Sequence, residues 1–264
     1  MAKLILKDVK NYVEKNIDSF HNLRLQKLEK LNFKDVLKRK NPYLFKAKNI
    51  ITASDLMKGI LDAFLQSQEE TLFGEFLEGI AVFACNKVYG GIKSTKLEGI
   101  DLVFTKNDVI YIVEVKSGPN WGNSSQLKKM QDNFKNAITI LKNENPKGEV
   151  IAVNGCCYGI DNNPDKKGYF KYCGQEFWTF ISNDSHLYLD IIEPLGYKAQ
   201  EKNDEFAIAY AKVINKFTFK FGEEFCKKNG EIDWKKIVEF NSQKTIKTPK
   251  VLPKSTPKPI SKRK

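Results

Sequence analysis

Two runs of β-branched and aromatic residues, 100–105 and 109–116, sit in a chain whose other apolar residues mostly recur at helical spacing. Asn107 and Asp108 lie between them, and turn-forming residues between two such runs read as a β-hairpin. Both faces of the hairpin are apolar over most of its length, so it belongs inside a sheet covered on both sides. Three ionisable residues interrupt it: Asp101, Glu114 and Lys116.

A two-residue loop at Asn107-Asp108 fixes the register. Lys106 then faces Val109, Thr105 faces Ile110, and Asp101 falls opposite Glu114. Directly opposed residues have Cβ atoms about 4.5–5.5 Å apart, where like charges repel. Strand parity puts Lys116 on the same face as Glu114. Two adjacent carboxylates raise a pKa and destabilise the fold unless a cation lies between them. Hard oxygen ligands suit Mg²⁺, with Mn²⁺ as a substitute. Such an ion activates water and polarises a phosphate oxygen, and Lys116 would orient the nucleophile or offset developing charge. The plain alternative is an ordinary Glu–Lys pair on a surface hairpin with an unrelated Asp.

Helical spacing governs the rest. Ile5, Val9, Tyr12, Val13 and Ile17 are followed by Leu25, Leu28 and Leu31, which predicts a helical region over residues 1–50 broken near Pro42. A helix is expected over about 54–66, and a second from Ser67, whose spacing to Glu70 fits a capping box. Further helices are expected over about 124–141 and again through Phe206, Tyr210, Val213, Phe217 and Phe221, with a strand at 149–153. Helices around a short sheet make an α/β or α+β domain. The expected organisation is a helical N-terminal region (1–50), a core with C-terminal helices (51–235) and a basic tail (241–264).

Charge points the same way only weakly. The chain carries 44 Lys and Arg against 32 Asp and Glu, but eight of the basic residues lie beyond Asn241 with no acid among them. Without these eight, 36 bases face 32 acids, and the body carries only +4. The tail, with Pro249, Pro253, Pro257 and Pro259, reads as a disordered arm for phosphates or a solubilising end. No run of about 18 apolar residues exists, so no membrane span is expected, and the first residues do not resemble a signal peptide. Five cysteines without CxxC spacing and two distant histidines suggest a reducing cytoplasm and no zinc site.

The sequence Gly99-Ile100-Asp101, twelve residues, then Glu114-Val115-Lys116 resembles the signature of the PD-(D/E)XK nuclease superfamily. That resemblance implies a restriction-endonuclease-like core, metal ligation by Asp101, Glu114 and the Val115 carbonyl, and catalysis by Lys116. Ile100 stands where the superfamily's name has proline. A further acid often comes from the preceding helix; Glu75 and Glu78 are the candidates, and the helical wheel favours Glu78. Residues 40–45, 73–78 and 173–178, leading into 187–194, are similar to PmeII-type type II restriction endonucleases, some of which cut GGNCC-centred DNA. The resemblance covers roughly residues 38–200. It implies Mg²⁺-dependent hydrolysis of double-stranded DNA by a homodimer, with a cognate methyltransferase protecting host DNA.

Several residues admit both a DNA-contacting and a structural reading. Asn120, Trp121, Asn123, Ser124 and Gln126 follow the charged strand and could meet a phosphate or base edges, or cap the next helix. Lys40, Asn41 and Tyr43 belong to a basic and aromatic patch that either touches DNA or is a solvated loop. Lys171, Tyr172 and Gln175 precede an apolar Phe177-Trp178 pair and carry the same two readings. Asp161–Asp165 lacks the glycine and glutamate of a calcium loop and reads as a turn. A repair or recombination nuclease of the same fold, and a non-catalytic DNA-binding module, are the competing functions; intact Asp101, Glu114 and Lys116 count against the module.

Overall fold

A computed structural model describes residues 3–244. The hairpin is present as strands β1 (Leu102–Lys106) and β2 (Val109–Lys116). Asn107 and Asp108 both take left-handed φ, 51° and 62°, the combination a two-residue turn needs to follow the strand twist. Lys106 pairs with Val109 and Thr105 with Ile110, and the ladder continues to Leu102 opposite Val113.

Two more strands, β3 (Glu149–Cys156) and β4 (Phe170–Cys173), complete a four-stranded sheet of order β1-β2-β3-β4. β3 runs parallel to β2, and β4 parallel to β3. The parallel step from β2 to β3 requires a crossover, supplied by helix α5 (Ser124–Glu144). Asn123 and Gln126 start that helix with a reciprocal capping box. Met130, Phe134 and Ala137 of α5 cover the face carrying Ile112 and Ala152.

The opposite face, with Leu102, Phe104, Val113, Val115 and Val153, packs on helices α4 (Ala53–Tyr89) and α6 (Gln175–Ser182). Strands buried on both faces explain why the hairpin lacks polar alternation. α4 is one 37-residue helix, capped by Thr52 and ended by Gly90 in the left-handed region, where the sequence predicted two helices. Ser67 is not a cap: its hydroxyl donates to the Ala63 carbonyl within the helix. At about 1.5 Å per residue α4 spans roughly 55 Å. Its first half enters a second, purely helical core, with Leu56, Met57, Ile60 and Leu61 fully or nearly buried.

That second core is built from α2 (Phe33–Lys38), α3 (Pro42–Ala47), α9 (Ala199–Phe225) and α10 (Trp234–Ser242) around α4. The N-terminal region is helical as expected. α1 (Leu6–Glu29) sends Val9 and Val13 into the sheet's core and Leu28 into the helical one. Pro42 opens α3 at its first turn, where its missing N–H is harmless, and Asn41 caps it. Short helices α7 (Leu187–Asp190) and α8 (Ile192–Leu195) bridge α6 to α9. The predicted basic tail lies outside the described residues from 245 onward. Among the described residues no helix is long and apolar enough to cross a membrane.

Candidate active site

The site forms where β1 gives out. Asp101 precedes Leu102, and its own N–H donates to the Val113 carbonyl at 2.9 Å. One ladder step further, the Val115 N–H meets the Asp101 carboxylate instead of a backbone carbonyl, Oδ2 accepting at 2.8 Å. The side chain thus replaces a backbone acceptor and is locked at the sheet's mouth. In an extended strand a residue's N–H and C=O point to the same side. The Val115 carbonyl therefore faces Asp101, while the neighbouring Lys116 carbonyl accepts from Cys157 across β3.

Glu114 is 8% exposed. Its Oε1 lies 2.6 Å from the Lys116 ammonium, and its Oε2 is buried without a hydrogen-bond partner. By parity Glu114 and Lys116 share the face of Ile112, toward α5, while Asp101, just before β1, reaches them from the sheet's edge with its carboxylate on the Val115 amide. Burial, joined by the charges of Glu78 and Glu114, pushes the Asp101 carboxyl up to about 6, although the Val115 amide and the Lys116 charge oppose the rise. The cluster holds more negative charge than its surroundings neutralise.

Glu78 reaches the same mouth from α4. It lines a cleft of about 880 Å³ together with Val115, Lys116, Gly118 and Trp121. Glu75, one turn earlier, is exposed. Lys93 lies 2.6 Å from Glu78 and ties that carboxylate up, while Glu78 holds the Lys93 ammonium above its ordinary pKa. Among the described residues no group of three or more His, Cys, Asp or Glu is arranged to hold a metal ion. The donor set at the mouth is two carboxylates and a main-chain carbonyl, with Glu78 drawn onto Lys93.

The loop after β2 is held from several sides. Trp121 donates its indole N–H to Asn154 Oδ1 at 3.2 Å, and its ring lies 4.7 Å from the Lys116 ammonium. Asn120 lines the cleft, whereas Asn123 and Gln126 spend their side chains on each other's backbone and Ser124 is exposed beside them. Lys171 donates to the Pro119 carbonyl at 2.9 Å and so anchors the loop to β4. Tyr172 stacks on Phe170 and packs against Phe180, and Gln175 bonds the Ser185 carbonyl. These three do not line the cleft. Lys40 donates to the Ala63 carbonyl and lines a separate pocket with Lys27 and Arg39; Asn41 caps α3; Tyr43 is exposed.

Two neighbours of the site were not anticipated, Lys93 and Asn154. Lys93 follows Ile92, whose bridge to Val103 brings it alongside the hairpin. Asn154 is 1% exposed and sits level with Glu114 in the β2–β3 register. A polar residue ending the apolar run 150–153 was the available signal, but its partners are distant in sequence.

No curated protein matches the chain. The family model for type II restriction endonuclease EcoO109I matches residues 7–203, about three quarters of the chain, and takes in the hairpin, the cleft and α4. The chain belongs to the EcoO109I family of type II restriction endonucleases.

Proposed function

We propose that this protein is a Mg²⁺-dependent, site-specific endonuclease cutting double-stranded DNA with Asp101, Glu114 and Lys116. The observation carrying this reading is the buried, unpartnered Glu114 Oε2 beside an Asp101 carboxyl that burial and neighbouring acids disfavour as an anion. An acid left unsatisfied in a family of nucleases fits the role of a cation ligand. Asp101 Oδ1, Glu114 and the Val115 carbonyl are hard oxygen donors of the kind Mg²⁺ or Mn²⁺ takes. When bound, the ion polarises a phosphate oxygen and lowers the pKa of a water ligand.

The chain's own residues supply the rest. Asp101 is fixed by the Val115 amide, so its free oxygen is pre-aimed. The Lys116 ammonium, released from Glu114, steers the attacking water toward phosphorus and offsets charge gathering on the phosphate. A bond forms between the water oxygen and phosphorus, and the P–O3′ bond breaks. The water's proton leaves to solvent, the 3′ oxygen takes one up, and the product keeps a 5′-phosphate. Glu78 adds a third carboxylate once it leaves Lys93. Asn120 borders the scissile phosphate.

Similarity to PmeII-type enzymes over residues 40–45, 73–78 and 173–178 supports a GGNCC-centred target. A palindromic target calls for a two-fold symmetric homodimer. The enzyme would work in the cytoplasm beside a methyltransferase that protects the same site. Digestion of a mapped plasmid with Mg²⁺, wild type beside Glu114→Ala, tests the reading. Discrete fragments from the wild type alone support it; equal cutting by both removes the catalytic assignment.

A further inference from the structure

Four contacts close a ring around Glu114. Asn154 Nδ2 donates to the Glu114 main-chain carbonyl at 3.3 Å, and Asn154 Oδ1 accepts the Trp121 indole N–H at 3.2 Å. The Trp121 ring lies 4.7 Å from the Lys116 Nζ, which in turn lies 2.6 Å from Glu114 Oε1. A buried amide with both ends engaged is held in one orientation. Here it ties the loop carrying Trp121 to the backbone of the strand carrying Glu114 and Lys116.

An ammonium on a four-carbon stem has many rotamers, and a surface lysine samples them freely. Lys116 must give up Glu114 when that carboxylate takes another partner. The aromatic face then remains as the contact keeping the ammonium at the mouth, because a ring attracts a cation over its centre. Without the bond to Asn154, the indole could turn about its side-chain torsions and the face would move away.

We infer that Asn154 and Trp121 are positioning residues for Lys116: Asn154 orients the indole, and the indole holds the ammonium over the reacting phosphate. This rests on the nuclease reading above. Trp121 therefore acts on the lysine rather than on DNA, although it borders the cleft. Trp121→Phe keeps an aromatic face but loses the N–H, and Asn154→Ser loses the reach to both partners.

The test is single-turnover cleavage of a duplex carrying the target site, with wild type, Lys116→Ala, Trp121→Phe, Asn154→Ser, and Trp121→Phe combined with Lys116→Ala. Duplex affinity is measured separately in Ca²⁺. Trp121→Phe should slow cleavage about 10-fold or more, leave duplex affinity within about 2-fold, and change nothing further in the Lys116→Ala background, because residues acting as a unit are not additive. Asn154→Ser should match it; should that variant fail to fold, Trp121→Phe carries the test alone. Equal slowing by Trp121→Phe with and without Lys116 overturns the inference, as does a loss of duplex affinity that accounts for the slowing. A wild type that does not cut removes the nuclease reading and this inference with it; a wild type that cuts, with additive variants, removes only the inference.

Discussion

The Asp101 carboxylate accepts the Val115 amide N–H at 2.8 Å, so a side chain takes the place of a ladder acceptor where β1 ends. One bond thus settles three things: where the strand stops, where a carboxylate points, and which way the adjacent Val115 carbonyl faces. It also places Asp101 where burial and Glu78 work against its charge.

The cost of that charge is measurable. The folded Asp101 pKa is about 6, against an ordinary 3.8. Between these values the native state holds more protons than the unfolded state, so without divalent cations this group makes stability fall as pH rises from about 4 to about 6. Asp101→Asn keeps an oxygen for the Val115 amide and removes the charge. In EDTA at pH 7.5 it should stabilise the protein by ~1–3 kcal/mol and flatten that pH dependence, read by urea unfolding. A variant less stable than wild type under those conditions would contradict the electrostatic account.

Lys116 should matter for chemistry and little for binding. Lys116→Ala is expected to lower the single-turnover rate by about 10²–10³-fold, the scale for losing one preorganised charge-stabilising group. Duplex affinity in Ca²⁺ should hold within a few-fold. A comparable loss in both would make Lys116 a DNA-contacting residue instead.

Lys93 competes for Glu78. The pair is 2.6 Å apart and the lysine side chain is mostly exposed, so the contact is exchangeable. If Glu78 joins the site when a cation is present, Lys93→Ala should tighten Mn²⁺ binding several-fold and Glu78→Gln should weaken it. Unchanged affinity in both variants would leave Glu78 outside the site.

The sheet makes its own demand. Gly155 lies on β3 under the buried Phe177 ring, and a Cβ there would drive into that ring. Gly155→Ala should destabilise the fold by about 1–3 kcal/mol, seen as a lower urea midpoint with an unchanged slope.

What could be read from the sequence was local. The Asn107-Asp108 turn fixes the register from Lys106 to Leu102 by counting, and Asp101, Glu114 and Lys116 gather at the hairpin's open end from residues at most fifteen apart. The cap at Asn123 is local in the same sense. The helix break expected at Ser67 failed because serine is compatible with a helix interior once its hydroxyl bonds back to Ala63, and tertiary packing on both halves of α4 holds the helix together. β4 went unseen because four residues carry no period, and pairing with β3 is what defines them. Lys93 beside Glu78, and Asn154 beneath Trp121, join segments 15 and 33 residues apart through the fold itself.

Cation binding by the metal-free protein tests the centre of this account most directly. Mn²⁺ titration followed by electron paramagnetic resonance should show a bound ion in the wild type. Affinity should fall at least 10-fold in Asp101→Asn and again in Glu114→Gln, with all three proteins folded. Equal binding by wild type and both variants would contradict it.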